Sequence, residues 1–184
     1  MKLACAAYVD LNPIRAAMCE TLEQSDHTSV QRRIEALREE QASDQLGAQS
    51  THEDSRQKAH CDDFLSPLSI DESRDPLGPD EFRLAQRCSD KGFLAMPLQD
   101  YLELLDWTAR QTVQGKRGRT PEHVPPLLKR LGLDAACWCE LVSDFGKLFC
   151  TVAGSAQAVD SMRSARTHRR YHMHRRAREL MSAG

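Results

Sequence analysis

The stretch AAYVDLNPIRAAM, residues 6–18, predicts two short helices close to the first residue of the chain. Proline lacks a backbone donor and disfavours the helical region for the residue before it, so we expect Asn12 to leave the first helix. Asn12 can then cap a second helix that begins with Pro13 and continues to about Cys19 or Glu20. Tyr8 and Asn12 are four residues apart, so they share one helix face. A lone tyrosine at a helix break is most often a core residue, and the spacing by itself gives Tyr8 no catalytic role.

The sequence around Tyr8 and two later segments also resemble a known protein family. The string AYVDLNPIRAAM (7–18), followed by SDHTSVQ (25–31), resembles the tyrosine-helix region of the REP-associated tyrosine transposases, a bacterial branch of the single-tyrosine HUH transposases. The segment 97–118, with YLELLDWT at 101–108, and the string VAGS at 152–155 resemble the downstream extension of one subgroup. The resemblance covers most of the chain outside residues 40–80.

The resemblance implies cleavage and joining of single-stranded DNA during transposition. In intact members of that family the tyrosine attacks a DNA phosphate and forms a covalent phosphotyrosine. Two histidines of a His-hydrophobic-His strand hold a divalent metal, Mg²⁺ or Mn²⁺, that polarises the phosphate. Carried over to this chain, the resemblance assigns Tyr8 as the nucleophile and Asn12 as a helper ligand of the metal. It also implies single-stranded or hairpin DNA as the partner, and a possible homodimer.

The chain departs from the family at the metal-binding histidines. Family members carry them well before the tyrosine, whereas seven residues precede Tyr8 here and none is histidine. We therefore expect the C-terminal part of a transposase, from a truncated gene or a late start, that binds no metal by itself. His172-Met173-His174 has the letters of the motif, but residues two apart face opposite sides of a helix and no strand pattern surrounds them. We do not interpret it as a metal site.

Composition limits the class of protein. The 184 residues allow one domain or two small ones, and 40% hydrophobic with 5% aromatic content predicts a modest core of Leu, Ala and Val. No apolar run approaches the roughly 20 residues of a membrane span. The apolar N-terminal residues are interrupted by Asp10, which argues against a signal peptide and favours the cytoplasm. The seven cysteines contain no Cys-x-x-Cys pair, so we expect free, mostly buried thiols.

Periodicity predicts a mainly α fold in four segments, although intact family members are α+β. Residues 1–41 form the tyrosine-helix remnant, 42–79 a partly disordered linker, 80–162 a small helical bundle and 163–184 a basic tail. The expected helices cover residues 31–41 after a Thr28–Gln31 capping box, 80–87, 97–114, 124–131, 134–150 and 155–162. Phe64–Leu68 is expected to dock back as a short extended piece.

Basic residues are the candidate DNA contacts. They are Arg15 after the tyrosine, Lys116, Arg117 and Arg119 in one loop, and Arg166, Arg169, Arg170, Arg175 and Arg176 in the tail. Arginine forks match phosphate geometry. A soluble turn explains the loop equally well, and a mobile basic end is the alternative for the tail. For Arg32, Arg33 and Arg38 we favour a solvated helix face over nucleic-acid contact.

Two further functions stay open at this point. The first is a non-catalytic DNA-binding protein that uses the arginine-rich tail and the basic loop. The second is a decayed transposase product with no function. Steep salt dependence of DNA binding favours the first, and a sharp cooperative melt argues against the second.

Overall fold

The structure, a computed structural model, describes residues 1–45, 61–62, 64–74, 89–113, 126–130, 132–149, 152–165 and 173–182. Within these ranges the chain is mainly helical, which confirms the predicted fold class. The helices are α1 (Lys2–Asp10), α2 (Asn12–Arg15), α3 (Ser29–Gln45), α4 (Leu98–Val113), α5 (Pro126–Arg130), α6 (Ala135–Ser143), α7 (Phe145–Phe149), α8 (Ala156–Ala165) and α9 (Arg175–Ser182), with a 3-10 turn at Leu22–Gln24. Across the described helices, none combines the length and the apolar character that crossing a bilayer needs.

The chain divides into two compact units. Unit 1 comprises Met1–Arg15 and Glu103–Gly184, and unit 2 comprises Ala16–Leu102. Unit 1 therefore joins both ends of the chain, and it contains α1, α2, most of α4 and all helices from α5 to α9. Unit 2 contains α3, the 3-10 turn and the segments that lead to α4.

The start of unit 1 contains the predicted break between two short helices, but the break lies at Leu11. Asn12 is the first residue of α2, so the expectation that it caps a helix beginning with Pro13 is wrong. α1 ends at Asp10 and α2 begins at Asn12, and the Arg15 amide still donates to the Leu11 carbonyl at 3.0 Å. The expected continuation of the second helix to Cys19 or Glu20 is wrong. α2 ends at Arg15 because Ala17 adopts a positive φ of 54°, which a right-handed helix does not contain.

A buried hydrogen bond fixes α6 against α4 in unit 1. The Trp138 indole Nε1 donates to Thr108 Oγ1 at 2.9 Å, and that hydroxyl donates to the Leu104 carbonyl at 2.6 Å. Thr108 is completely buried beside Leu104 and Leu105. A buried indole N–H needs such an acceptor, so this contact explains why a polar residue lies in the apolar stripe of α4.

The expected single helix over residues 134–150 is wrong, because the structure divides it. Asp134 caps α6 as predicted, with Oδ1 accepting from the Cys137 amide at 2.9 Å, and this bond lowers the pKa of the Asp134 carboxyl. The helix stops before Asp144, whose φ of −108° and ψ of 17° leave the helical region. Asp and Gly are weak helix formers, and Asp144 and Gly146 together allow the chain to restart as α7.

Two helices follow in the C-terminal part of unit 1. Ser155 caps α8 as expected, since its Oγ accepts from the Ala158 amide at 3.2 Å. The tail then contains α9, a helix that the sequence analysis did not predict. Met173, Ala177 and Leu180 are buried at helical spacing and pack α9 onto α6 and α7.

In unit 2, α3 extends to Gln45 rather than Gln41. The Thr28 hydroxyl accepts from the Gln31 amide at 3.3 Å, which confirms half of the capping box. The other half differs, because Gln31 Oε1 accepts from the amide of His27 at 3.2 Å and not from that of Thr28. Arg33 corrects the expected solvated face: it is 5% exposed, its Nη2 donates to the Ser66 carbonyl at 2.7 Å, and its guanidinium lies 6.0 Å from the Phe93 ring centre.

The expected docking of the segment that ends at Leu68 is confirmed in part. Leu68 is buried, and its carbonyl accepts from the Leu94 amide at 2.8 Å, while the Ile70 amide donates to the Leu94 carbonyl at 2.8 Å. Phe64, at the other end of the expected piece, is exposed. A parallel bridge between Ser69 and Leu94 is the β pairing found in the described ranges. The expected helix at 80–87 lies outside these ranges.

The thiols are less buried than expected. The described cysteines are free, but Cys5 is exposed and Cys19, Cys61, Cys137 and Cys139 are of intermediate exposure. Burial still matters at Cys139, where it raises the pKa of the thiol to about 11, with a smaller contribution from the Asp134 charge.

Candidate functional site

Tyr8 lies between an aromatic ring and a guanidinium in unit 1. Its ring stacks on Phe145 with 5.4 Å between centroids and 28° between planes. On the same tyrosine ring, the Arg15 Cζ lies 4.7 Å from the centroid. Phe145 continues the cluster to Phe149, at 4.8 Å between ring centroids. The tyrosine is half-buried, so the cluster fixes the ring while leaving part of it open to solvent.

Arg15 ties α2 to the end of α6. Its Nη2 donates to the Ser143 carbonyl, which belongs to the last turn of α6 and carries part of the negative end of the helix dipole. Its Nη1 is buried without a conventional hydrogen-bond partner among the residues that the structure describes. The guanidinium lies over the π face of Tyr8, and a π face attracts N–H groups weakly. Arg15, expected as a DNA contact, is thus placed as a bridge within unit 1.

The Tyr8 hydroxyl lies against the backbone of α7. A Cβ added at Gly146 would approach Tyr8 Oη to 2.9 Å, closer than ordinary contact allows. Glycine therefore provides the space in which the hydroxyl lies. No sequence signal marks this role, because Gly146 stands in an apolar helical pattern where glycine usually only weakens the helix.

Asn12 is exposed, one helical turn after Tyr8. As a helper ligand it needs other donors nearby, since divalent metals in this chemistry take several oxygen or nitrogen ligands. In the ranges that the structure describes, no group of three His, Cys, Asp or Glu side chains could hold a metal ion. His174, from the His172–His174 string, instead accepts from the Arg176 amide at 3.2 Å through its Nδ1.

The candidate DNA contacts divide between described residues and others. Lys116, Arg117, Arg119, Arg166, Arg169 and Arg170 lie outside the described ranges. Arg175 and Arg176 lie in the first turn of α9. Arg175 is 91% exposed at its side chain and pairs with Glu179 at 3.0 Å, and Arg176 is 46% exposed.

The arginines of α9 donate hydrogen bonds to carboxylates on α6, on α8 and on α9 itself. Arg176 grips Glu140 of α6 with two hydrogen bonds, of 2.6 Å and 2.7 Å, and reaches Glu179 at 3.2 Å. Arg178 grips Asp160 of α8 in the same way, at 2.6 Å and 2.9 Å. The Arg178 hydrogen bonds lower the pKa of the Asp160 carboxyl, and Arg176 followed by Arg175 lowers that of Glu179.

The functional geometry includes residues that sequence reasoning missed. Phe145, Gly146, Glu140 and Asp160 were absent from the candidate set, and each acts on a residue far away in the sequence. Comparisons with known proteins add nothing to this set: no family model, no curated protein and no solved structure matches the chain.

Proposed function

We propose that this chain is a transposase-like protein that takes part in the cleavage and joining of single-stranded DNA, with Tyr8 as the nucleophile. The observation that carries the proposal is the Arg15 guanidinium, 4.7 Å from the centre of the Tyr8 ring. A phosphate under attack carries negative charge, and a fixed positive charge beside the nucleophile attracts it. Stacking on Phe145 orients the ring, and orientation before reaction lowers the barrier.

In the proposed reaction the phenol oxygen of Tyr8 forms a bond to a DNA phosphorus atom. The bond between that phosphorus and the leaving sugar oxygen breaks, and the leaving oxygen takes up a proton as the phenol gives one up. The histidines and their metal would come from a segment outside the described residues, among which no group of three His, Cys, Asp or Glu side chains could hold a metal ion. This chain supplies the nucleophile and the neighbouring positive charge. We place this activity in the cytoplasm, where DNA is the partner.

The test begins with the DNA that precedes the Met1 codon, translated in all three frames. A His-hydrophobic-His segment found there is expressed as a separate polypeptide and mixed with this chain, a labelled hairpin oligonucleotide and Mn²⁺. We expect a covalent protein–DNA adduct that Tyr8→Phe abolishes and that the control Tyr101→Phe retains, since Tyr101 is fully buried.

Two results would contradict the proposal. The first is an adduct that survives Tyr8→Phe, and the second is an upstream sequence with no such histidine pair in any frame. An adduct formed by this chain without a second polypeptide would retain Tyr8 as the nucleophile and refute the need for the partner.

A second candidate function is DNA binding without catalysis. The observation that favours it is Arg175, whose side chain is 91% exposed at the start of α9. Binding to single-stranded DNA should then weaken steeply with salt and weaken further in Arg175→Gln. A point substitution is the better test than removal of residues 163–184, because that segment contains the buried Met173, Ala177 and Leu180. Flat salt dependence would refute this function.

A further inference from the structure

The charges of α9 are balanced by the fold. We call Arg175, Arg176 and Arg178 the α9 arginines, and Glu140, Asp160 and Glu179 the facing carboxylates; each arginine forms at least one ion pair with this set. Three guanidinium charges thus face three carboxylate charges. The basic character that the sequence gives this segment is locally neutralised once α6 and α8 are in place.

The facing carboxylates accept from the same guanidinium N–H groups that would donate to a bound phosphate. Arg176 presents Nε and Nη2 to Glu140, and Arg178 presents Nη1 and Nη2 to Asp160. Both contacts are two-pronged, the geometry in which a guanidinium also binds a phosphate group. A nucleic-acid phosphate therefore competes with the carboxylate for the same N–H groups.

Packing prevents α9 from turning its arginines elsewhere. Met173 and Leu180 are each 8% exposed and Ala177 is fully buried, and these side chains fix which face of α9 meets α6 and α7. The arginines are then left at the rim beside Glu140 and Asp160. Tertiary packing, not local sequence, sets the pairing, since Arg176 and Glu140 are 36 positions apart.

We propose that Glu140 and Asp160 mask Arg176 and Arg178 from single-stranded nucleic acid, so that these two arginines bind a strand only where its phosphates displace the two carboxylates. This inference rests on the second candidate function, DNA binding. The ion pairs are exposed to solvent, and pairs of this kind open readily. Masking thus tunes the affinity of α9 for a polyanion and does not abolish it.

The test neutralises the two carboxylates that other helices contribute. The full chain and the double variant Glu140→Gln/Asp160→Asn are titrated with a fluorescent oligothymidine at several salt concentrations. Arg176 and Arg178, each in contact with one additional phosphate, should steepen the slope of log K against log salt by about 1.4 for a single strand. We expect binding at low salt to be at least about threefold tighter in the variant.

A matched control separates masking from a general change in charge. The double variant Glu35→Gln/Asp106→Asn also removes two negative charges and also frees two arginines from ion pairs, Arg32 and Arg110, on helices other than α9. It should bind as the unaltered chain does, apart from a small general gain. We call Glu140→Gln/Asp160→Asn the unmasked variant. Adding Arg176→Gln/Arg178→Gln to it should remove its gain in affinity. Tryptophan fluorescence and helical circular dichroism establish that each variant is folded.

The outcomes distinguish the inference from the function on which it rests. Equal gains in affinity and slope for the unmasked variant and the control would overturn masking while leaving DNA binding in place. Salt-independent or undetectable binding by every variant, the unmasked one included, would overturn DNA binding and masking together. A gain confined to the unmasked variant, and lost with Arg176 and Arg178, supports both.

Discussion

Tyr8 is packed more tightly than its partial exposure suggests. Its ring stacks on Phe145 and lies under the Arg15 guanidinium, and its hydroxyl contacts the backbone of α7 at Gly146. In a helix, alanine is favoured over glycine by about 1 kcal/mol. At Gly146 a steric clash opposes this gain in stability, because an added Cβ would lie 2.9 Å from Tyr8 Oη.

We therefore predict that the effect of Gly146→Ala on the free energy of unfolding depends on whether the Tyr8 hydroxyl is present. In the unaltered chain the substitution should leave the free energy of unfolding unchanged or lower it, because the hydroxyl must move. In a Tyr8→Phe background it should raise that free energy by about 1 kcal/mol, since the obstacle is gone. Urea denaturation of the four proteins measures the coupling.

Gly154→Ala is the matched control for this cycle. Its Cβ would lie at an ordinary 3.5 Å from Val159, so its effect should be the same with Tyr8 or phenylalanine at position 8. An equal effect of Gly146→Ala in the two backgrounds would show that the hydroxyl does not lie where the structure has it.

Cys139 links stability to pH at the residue scale. An unfolded thiol ionises near the ordinary value of 9.0, whereas burial raises the pKa of folded Cys139 to about 11. Below the lower value both states keep the proton and the stabilising contribution is complete. Between the two values the unfolded state loses its proton first, so stability falls as the pH rises.

We predict that the urea midpoint decreases between about pH 8.5 and about pH 10.5, which lie below and within that window. The decrease should be smaller in Cys139→Ala than in the unaltered chain. Cys5→Ala, at an exposed thiol, serves as the control and should leave the decrease unchanged. Parallel pH profiles for the unaltered chain and Cys139→Ala would contradict the burial of that thiol.

At the scale of elements, α4 and α6 depend on the hydrogen bond between Trp138 and Thr108. Thr108→Val keeps the shape of the side chain but leaves the buried indole N–H without its acceptor. We predict a loss of about 1–3 kcal/mol in the free energy of unfolding, the usual cost of an unpaired buried donor. Thr108→Ser retains the hydroxyl and should recover part of the loss. Denaturation followed by tryptophan fluorescence measures all three proteins, and an unchanged midpoint in Thr108→Val would refute the role of this bond.

Local signals predicted where several helices begin or end. Asp134 and Ser155 cap α6 and α8, and Gly132, with a φ of 65°, follows α5 as expected. Pro97 precedes α4 by one residue. These residues act on backbone groups within four positions of themselves, so the sequence contains all the information that they need.

Helix α9 was missed because its cause is not local. It follows from the side chains that are buried where α9 packs on α6 and α7. The Met173, Ala177 and Leu180 spacing was present in the sequence, but arginines around it gave the segment the appearance of a solvated end. Helical propensity decides little in such a segment, since tertiary packing stabilises most protein helices.

On the scale of the molecule, unit 1 needs both ends of the chain. Ala4, Ala7, Leu11 and Ile14 are buried, and Arg15 reaches Ser143, 128 positions away. Contacts over such separations close a large loop and slow folding. Both tryptophans, Trp107 and Trp138, lie in unit 1, so their fluorescence reports on this unit.

We predict that deletion of residues 1–15 abolishes the cooperative tryptophan transition of unit 1, because it removes four buried apolar side chains at once. The control replaces exposed residues of the same segment, Cys5, Val9 and Asn12, with alanine and should retain the transition. A deletion variant that still unfolds sharply, at the midpoint of the full chain, would contradict the assignment of this segment to unit 1.

The sequence by itself determined the mainly α class, a break between two short helices near Pro13, the helix over α4 and the caps of α6 and α8. Helical periodicity and capping operate over a few residues, and the chain states them directly. Only the tertiary structure decided what the arginines do. Arg33 meets Ser66, Arg15 meets Ser143 and Arg176 meets Glu140, at separations of 33, 128 and 36 positions. A charge in a sequence has no partner until folding brings one within hydrogen-bond distance. Where folding also buries the charge, as it does at Arg33, desolvation makes that partner necessary.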